Sequence, residues 1–277
     1  MEATHEATRQ STAHSRELGA HLRLVRRRSE IPFKGLLEIL GWSAGKLSKL
    51  ECGTRGTPAS EIAFLLGACG ADKMLRERIM ALAWETDTGS FVRLHDGSPD
   101  ALFGLRVHEE QATGIVSYDP IGIPTLVQTD DYARALTNDE DTVTARVERQ
   151  DRLTVPSTLF LREAALGTVV GSTQVMRDQL LHLTLLSGTP NTAIRVIPHN
   201  RALCAALCHP ATLLTLQPPA RPLVHVETDL ATVFHDAPEL VTVYQDRFRQ
   251  LNRLALDPAE SRALLAHWTS HYDIKAS

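Results

Sequence analysis

Residues 33–56, Phe-Lys-Gly-Leu-Leu-Glu-Ile-Leu-Gly-Trp-Ser-Ala-Gly-Lys-Leu-Ser-Lys-Leu-Glu-Cys-Gly-Thr-Arg-Gly, constrain this chain more than any other stretch. Phe33, Leu36, Leu37 and Leu40 recur at helical spacing and mark one buried face. Gly41 follows the last of them, where a helix end calls for a left-handed residue. Ser43 is then placed to cap a second helix by accepting from its free backbone N–H groups. Leu47 and Leu50 point inward, which leaves Ala44, Gly45, Lys46, Ser48 and Lys49 outward. Two short helices joined by a tight turn, the second with a polar outer face, form the layout of a DNA-reading helix-turn-helix. Lys46 falls in the first turn, where the helix dipole disfavours a cation; a phosphate or base acceptor would offset that cost.

The flanks complete a bundle. Leu18, Leu22 and Val25 give an earlier helix that ends in Arg26-Arg27-Arg28. Ile62, Leu65, Leu66 and Cys69 give a later one after the start signal Thr57-Pro58, and Leu75, Ile79 and Leu82 a fifth. On this reading Lys34, Ser43, Ala44, Gly45, Lys46, Ser48, Lys49 and Arg55 face DNA. Base readout falls mainly on Lys46, Ser48 and Lys49, since lysine pairs with guanine O6 and N7. Ala44 and Gly45 reach few base edges, so sequence discrimination is either modest or reliant on DNA shape.

From these residues, about 16–72 of the chain resemble the Cro/CI-like (Xre) family. The resemblance implies that Arg26 and Glu51 form a structural ion pair. It also shows a departure. Phe33 stands where the family frequently has a polar, phosphate-holding residue, so Lys34 or a backbone N–H would have to substitute.

Charge divides the chain in the same place. Arg16 to Gly56 carries nine Arg/Lys against four Asp/Glu, a net of +5, while the whole chain carries 29 − 33 = −4. The remainder is therefore −9, an acidic body behind a basic head. At 277 residues the chain exceeds one typical core. The expected organisation is a disordered arm at 1–15, the α-helical five-helix head at 16–84, a linker at 85–100 and a mixed α/β (α+β) domain at 101–272. The linker rests on Asp87-Thr88-Gly89-Ser90 and Asp96-Gly97-Ser98-Pro99-Asp100. No apolar run is long enough to span a membrane and no signal peptide is evident. Four cysteines without framework spacing fit a reducing cytoplasm.

In the second domain, residues 107–117, 140–154 and 170–186 read as helices. Ile194–Ile197, Thr212–Leu216 and Leu223–Glu227 read as strands. Val241, Tyr244, Phe248 and Leu251 mark a further helix, and the last runs from Pro258 to Trp268 with Asp257 as cap. Ile123-Pro124-Thr125-Leu126-Val127-Gln128-Thr129-Asp130-Asp131-Tyr132-Ala133-Arg134-Ala135 carries a second resemblance, with Glu109/Glu110, Arg149-Gln150, Glu163–Leu166, Gln179-Leu180 and Val226–Thr228 in order around it. Residues 100–270 resemble actinobacterial regulators of the WhiJ-like type. That resemblance implies a transcriptional regulator often encoded near a small acidic partner protein.

Gln128, Tyr132 and Glu227 are the candidate ligand or partner residues. The structural reading is the favoured one: a loop hydrogen bond for Gln128, a core tyrosine beside the Thr129 cap for Tyr132, and a solvated strand-end charge for Glu227. Cys204-x-x-x-Cys208-His209 has metal-ligand residue types but no second ligand pair at finger spacing. His108-Glu109-Glu110 lacks the second histidine of a zincin helix, and there is no phosphate-cradling glycine loop or nucleophile elbow. No catalytic residue, metal or cofactor is expected. The expectation is a cytoplasmic, homodimeric regulator of double-stranded DNA that senses a small acidic partner protein or a small molecule. The alternatives are an antitoxin-like interaction module and a DNA-tethered enzyme.

Overall fold

A computed structural model describes residues 11–95, 102–137, 139–201, 204, 206, 208–228 and 230–276. Five helices come first: α1 (Ala13–Arg28), α2 (Phe33–Leu40), α3 (Ala44–Glu51), α4 (Ala59–Ala68) and α5 (Lys73–Trp84). A mixed α/β domain follows. Its elements are β1 (Ser90–Leu94), α6 (Phe103–Glu110), β2 (Ala112–Asp119), α7 (Asp130–Leu136), α8 (Glu140–Gln150), β3 (Ser157–Arg162), α9 (Glu163–Gly167), α10 (Thr173–Leu186), β4 (Thr192–Ile197), β5 (Ala211–Leu216), β6 (Leu223–Glu227), β7 (Ala231–His235), α11 (Pro238–Leu254) and α12 (Pro258–Ala276).

Local chemistry sets the helix ends. Thr12 and Ser15 form a reciprocal capping box at the start of α1. Gly41 takes φ 64° at the end of α2, where Trp42 N–H donates to Leu37 O at 3.1 Å and Gly41 N–H to Glu38 O at 3.3 Å. This Schellman closure requires a left-handed residue, hence the glycine. Gly53 closes α3 in the same way at φ 68°. Asp257 caps α12: Glu260 N–H donates to its carboxylate at 2.8 Å, and its own N–H donates back to the Glu260 carboxylate at 3.0 Å.

The head has its own core of Leu22, Val25, Leu36, Leu40, Leu47, Leu50, Ile62, Leu65, Leu66 and Ile79. The body is a seven-stranded sheet in the order β1-β7-β6-β5-β2-β3-β4. Strands β2, β3 and β4 are parallel, and β5, β6, β7 and β1 add antiparallel on the other side of β2. One sheet face packs a large core with Leu105, Tyr132, Leu180 and Leu265, contributed by α6, α7, α10 and α12. The other packs Tyr118, Phe160 and Val224 against Val241, Phe248 and Leu251 of α11.

Several expected boundaries change. The span 107–117 is not one helix: α6 ends at Glu110 and β2 begins at Ala112. Strand β2 lies inside the sheet with Ile115 and Tyr118 buried on opposite faces, so no two-residue alternation marks it. The expected linker holds β1, which pairs with β7 as a full member of the sheet; residues 96–100 lie outside the described residues. The expected arm overlaps α1, which starts at Ala13; residues 1–10 lie outside the described residues.

Helix α1 belongs to both units. Ala13 sits in the body core, and its N–H donates to the buried Asp236 carboxylate at 2.6 Å. His21 stacks on Phe103 of α6 at 4.1 Å between ring centroids. The next residue, Leu22, and Val25 a turn further on enter the head core. Arg93 on β1 fastens this arrangement. Its guanidinium donates to both oxygens of Glu17 at 2.8 and 2.9 Å, and to Glu85, just past α5, at 2.9 and 3.1 Å.

Candidate nucleic-acid interface

The second helix of the turn is held by its inner face. Leu47 and Leu50 are buried, while Ser43, Ala44, Gly45, Ser48 and Lys49 are exposed. The Ser43 hydroxyl accepts from Lys46 N–H at 3.2 Å, satisfying one orphan donor of the first turn. Lys34, in the first turn of α2, is exposed, and Arg27 and Arg28 are exposed at the end of α1. Arg55, in the loop after α3, is half-buried.

Arg26 fixes the back of α3. Its Nε donates to Glu51 Oε1 at 2.6 Å and its Nη2 to Oε2 at 3.0 Å. Donating to the buried Glu51 carboxylate holds the guanidinium above its ordinary range. Arg26 also lies 5.3 Å from the Phe33 ring centroid, so the residue that departs from the family pattern supports the pair from below. Arg23 comes within 3.4 Å of the same carboxylate.

Lys46 does not point outward as its position in the sequence suggests. Its Nζ lies 2.7 Å from Glu61 Oε2, in the first turn of α4, and 4.2 Å from the Trp42 ring centroid. Its side chain is only 18% exposed. The outward polar groups of α3 are therefore Ser48 and Lys49, beside the bare backbone at Ala44 and Gly45.

Each of the three candidate residues in the body has structural partners, and Gln128 and Tyr132 both reach Ile123. Tyr132 is a core residue whose hydroxyl is pushed up to about 12 by burial, and its N–H donates to the Thr129 cap at 3.3 Å. Gln128 is buried and donates to Ile123 O at 2.7 Å, while its own carbonyl accepts from Gln150. Glu227 is not a solvated charge. It accepts from Arg149 Nη1 at 3.0 Å, and Arg149 donates to both oxygens of buried Glu109 at 2.8 Å. Burial pushes the Glu227 carboxyl up, but Arg149, with His225 and Arg146, makes the net shift downward. His225 sits beside this cluster, and burial lowers it to about 3, so it is neutral. Cys204 and Cys208 are free thiols, with Cys208 donating to the Cys204 carbonyl at 3.4 Å.

Comparison with known families divides the chain at the same place as its architecture. Residues 104–267 match the profile of a domain of unknown function, DUF5753. The chain belongs to the DUF5753 family. Residues 17–79, ahead of the DUF5753 segment, match a helix-turn-helix domain and run from the second turn of α1 into α5. The N-terminal unit is thus a helix-turn-helix DNA-binding domain. No curated protein matches the chain. Among solved structures, TrmBL2, an archaeal chromatin protein described as showing a novel mode of DNA binding, matches at 13% identity with a TM-score of 0.29. The match covers 72% of this chain and 66% of that one, just under two thirds of its length. Among the described residues, no helix is long and apolar enough to cross a membrane.

Four structural partners went unread in the sequence. Glu61 and Trp42 hold Lys46, and Arg93 and Asp236 hold α1. For Trp42 the available signal is a large aromatic residue directly after the turn glycine. Glu61, Arg93 and Asp236 act through tertiary contacts and leave no local signature.

Proposed function

We propose that this DUF5753 protein is a sequence-specific transcriptional regulator that binds double-stranded DNA as a homodimer. The observation that carries the reading is α3 itself. It is capped by Ser43, anchored by Leu47, Leu50 and the Arg26–Glu51 pair, and exposes Ala44, Gly45, Ser48 and Lys49. Short residues at its start let the helix approach the major groove closely. Lys49 then reads base edges, and Lys34 with Arg27 and Arg28 holds phosphates. Two copies would read half-sites about one helical turn apart. The acidic body stays off the duplex, because phosphate repulsion opposes it.

The body is the part that senses. Its occupant would be a small acidic partner protein or a small-molecule effector, in line with the resemblance to WhiJ-like Xre regulators of actinobacteria. The reading places the protein in the cytoplasm and involves no catalysis, metal or cofactor. A gel-shift titration across salt concentrations on the protein's own upstream region tests it. Lys34→Ala should flatten log K against log salt by about 0.9, one phosphate contact, while Lys49→Ala should relax discrimination between duplexes. An unchanged slope would remove α2 from the interface, and unchanged discrimination would remove α3.

A further inference from the structure

The proposed reading leaves one basic residue of α3 out of the interface, and the structure shows what holds it. Lys46 is gripped from two sides. Glu61 takes its ammonium at 2.7 Å, and the Trp42 ring lies beneath it at 4.2 Å. The partners come from three different pieces of chain: the turn, the first turn of α3 and the first turn of α4. Glu61 is stabilised where it sits, since the N-terminus of α4 favours a carboxylate. Lys46 is disfavoured where it sits, for the same reason at α3. Each neighbour therefore improves the electrostatics of the other. Glu61 stays 38% exposed on its side chain, so the carboxylate borders the surface that α3 presents.

Resting on the DNA-binding reading, we propose that Glu61 is a positioning residue that withholds Lys46 from DNA phosphate. The carboxylate occupies the ammonium as a phosphate oxygen would. The wild-type chain thus docks without a contact that its sequence supplies. Non-specific affinity comes almost wholly from such lysine–phosphate contacts, whereas base readout does not. Withholding one contact lowers binding to every sequence equally and leaves the discrimination made by Ser48, Lys49 and DNA shape in place. In a helix whose first two outward residues are alanine and glycine, that restraint keeps non-specific binding from overwhelming a sparse set of base contacts.

The test uses the full chain and duplexes with and without the upstream sequence. Glu61→Gln removes the charge and keeps the shape. It should tighten binding to both duplexes and steepen log K against log salt by about 0.9, one added phosphate contact. Between 50 and 200 mM salt the variant should then lose about 3.5-fold more affinity than wild type. In a Lys46→Met background, Glu61→Gln should change neither affinity nor slope. An equal effect in both backgrounds would mean that Glu61 acts as a general repulsive charge, and the proposal fails. A readout without DNA separates this inference from the functional reading. Acylation of Lys46 by an amine-reactive ester, followed by mass spectrometry, should run several-fold faster in Glu61→Gln than in wild type. An unchanged acylation rate overturns the latch even if DNA binds. A wild-type chain that acylates as expected but binds no duplex overturns the function and leaves the latch standing.

Discussion

Replacing Arg93 with methionine should uncouple the DNA-binding head from the body. The guanidinium donates to both oxygens of Glu17, whose side chain is 3% exposed, and Arg93 itself is 15% exposed. Methionine cannot donate, so Glu17 stays buried without compensation. Breaking a buried pair from one side costs about 3–5 kcal/mol. The Glu85 arm is different. That carboxylate is 38% exposed, and pairs of this kind contribute about 0–1 kcal/mol. Glu85→Gln should therefore cost little, Glu17→Gln much more, and Arg93→Met most of all. Replacing Arg93 and Glu17 together with methionine should recover most of the loss, because no charge remains buried.

Two tryptophans make the uncoupling visible. Trp42 packs on the head core and Trp268 on the body core. Urea unfolding would be followed in two variants, each keeping one of these residues as the sole tryptophan. Because α1 serves both cores, the two probes should report one transition in wild type. In Arg93→Met the Trp42 transition should move to lower urea and separate from that of Trp268. The reasoning is refuted if Arg93→Met costs less than about 1 kcal/mol, or if Glu85→Gln costs as much as Glu17→Gln, since the estimate rests on burial deciding which carboxylate matters.

Other outcomes follow from single positions. At Gly19 an added Cβ would lie 2.6 Å from the backbone oxygens of both Leu50 and Glu51, so Gly19→Ala should destabilise the head by about 1–3 kcal/mol, measured as a shift in its urea midpoint. Gly45 has nothing within 4 Å of the same atom, so Gly45→Ala should instead stabilise α3 by up to about 1 kcal/mol. Acid should weaken the fold through His225, flanked by Glu109 of α6, Arg149 of α8 and Glu227 of its own strand. Its folded value is about 3, so the unfolded chain, at about 6.5, takes up the proton first and stability falls as pH drops between those values. By pH 5 this one group removes about 2 kcal/mol, and His225→Gln should remove that share of the slope in a pH series of urea midpoints. His108, also lowered by burial, acts in the same direction, whereas Glu227, shifted down, loses its contribution only at more acid pH.

What the sequence revealed followed the range of the forces involved. The turn of residues 33–56 was legible because its signals are local: a left-handed glycine, a serine cap and leucines at helical spacing. Strands β5 and β6 were legible as short segments on either side of the proline-rich loop 217–222. Strand β3 was not read, since Leu159, Phe160 and Leu161 are all buried and a continuous apolar run carries no period. Strand β1 is short, and the signals around it, Asp87-Thr88-Gly89 and Asp96-Gly97, read as linker. At the site, outward positions on α3 were assigned correctly for Ser48 and Lys49 by helical geometry. Lys46 was misplaced because its orientation depends on a glutamate fifteen positions along the chain.

The placement of α1 bears on how a body could control a head. In a two-unit regulator joined by a flexible linker, an event in the body reaches the DNA only by changing the average position of the heads. Here the first helix of the head begins on a body carboxylate, Asp236, passes Arg93 of the sheet edge, and stacks His21 on α6 before it enters the head core. Helix α6 also supplies Glu109 to the Arg149–Glu227 cluster. A ligand or partner that shifted α6 would therefore move α1, and with it Arg26 and the glutamate that anchors α3. The path consists of packed helices and buried ion pairs, and it carries a signal only where these have two discrete arrangements. An effector can shift such an equilibrium only by the difference in its affinity for the two arrangements. On the proposed reading, the decisive quantity is the coupling between body ligation and DNA affinity. Arg93→Met should weaken that coupling even where each separate binding event survives.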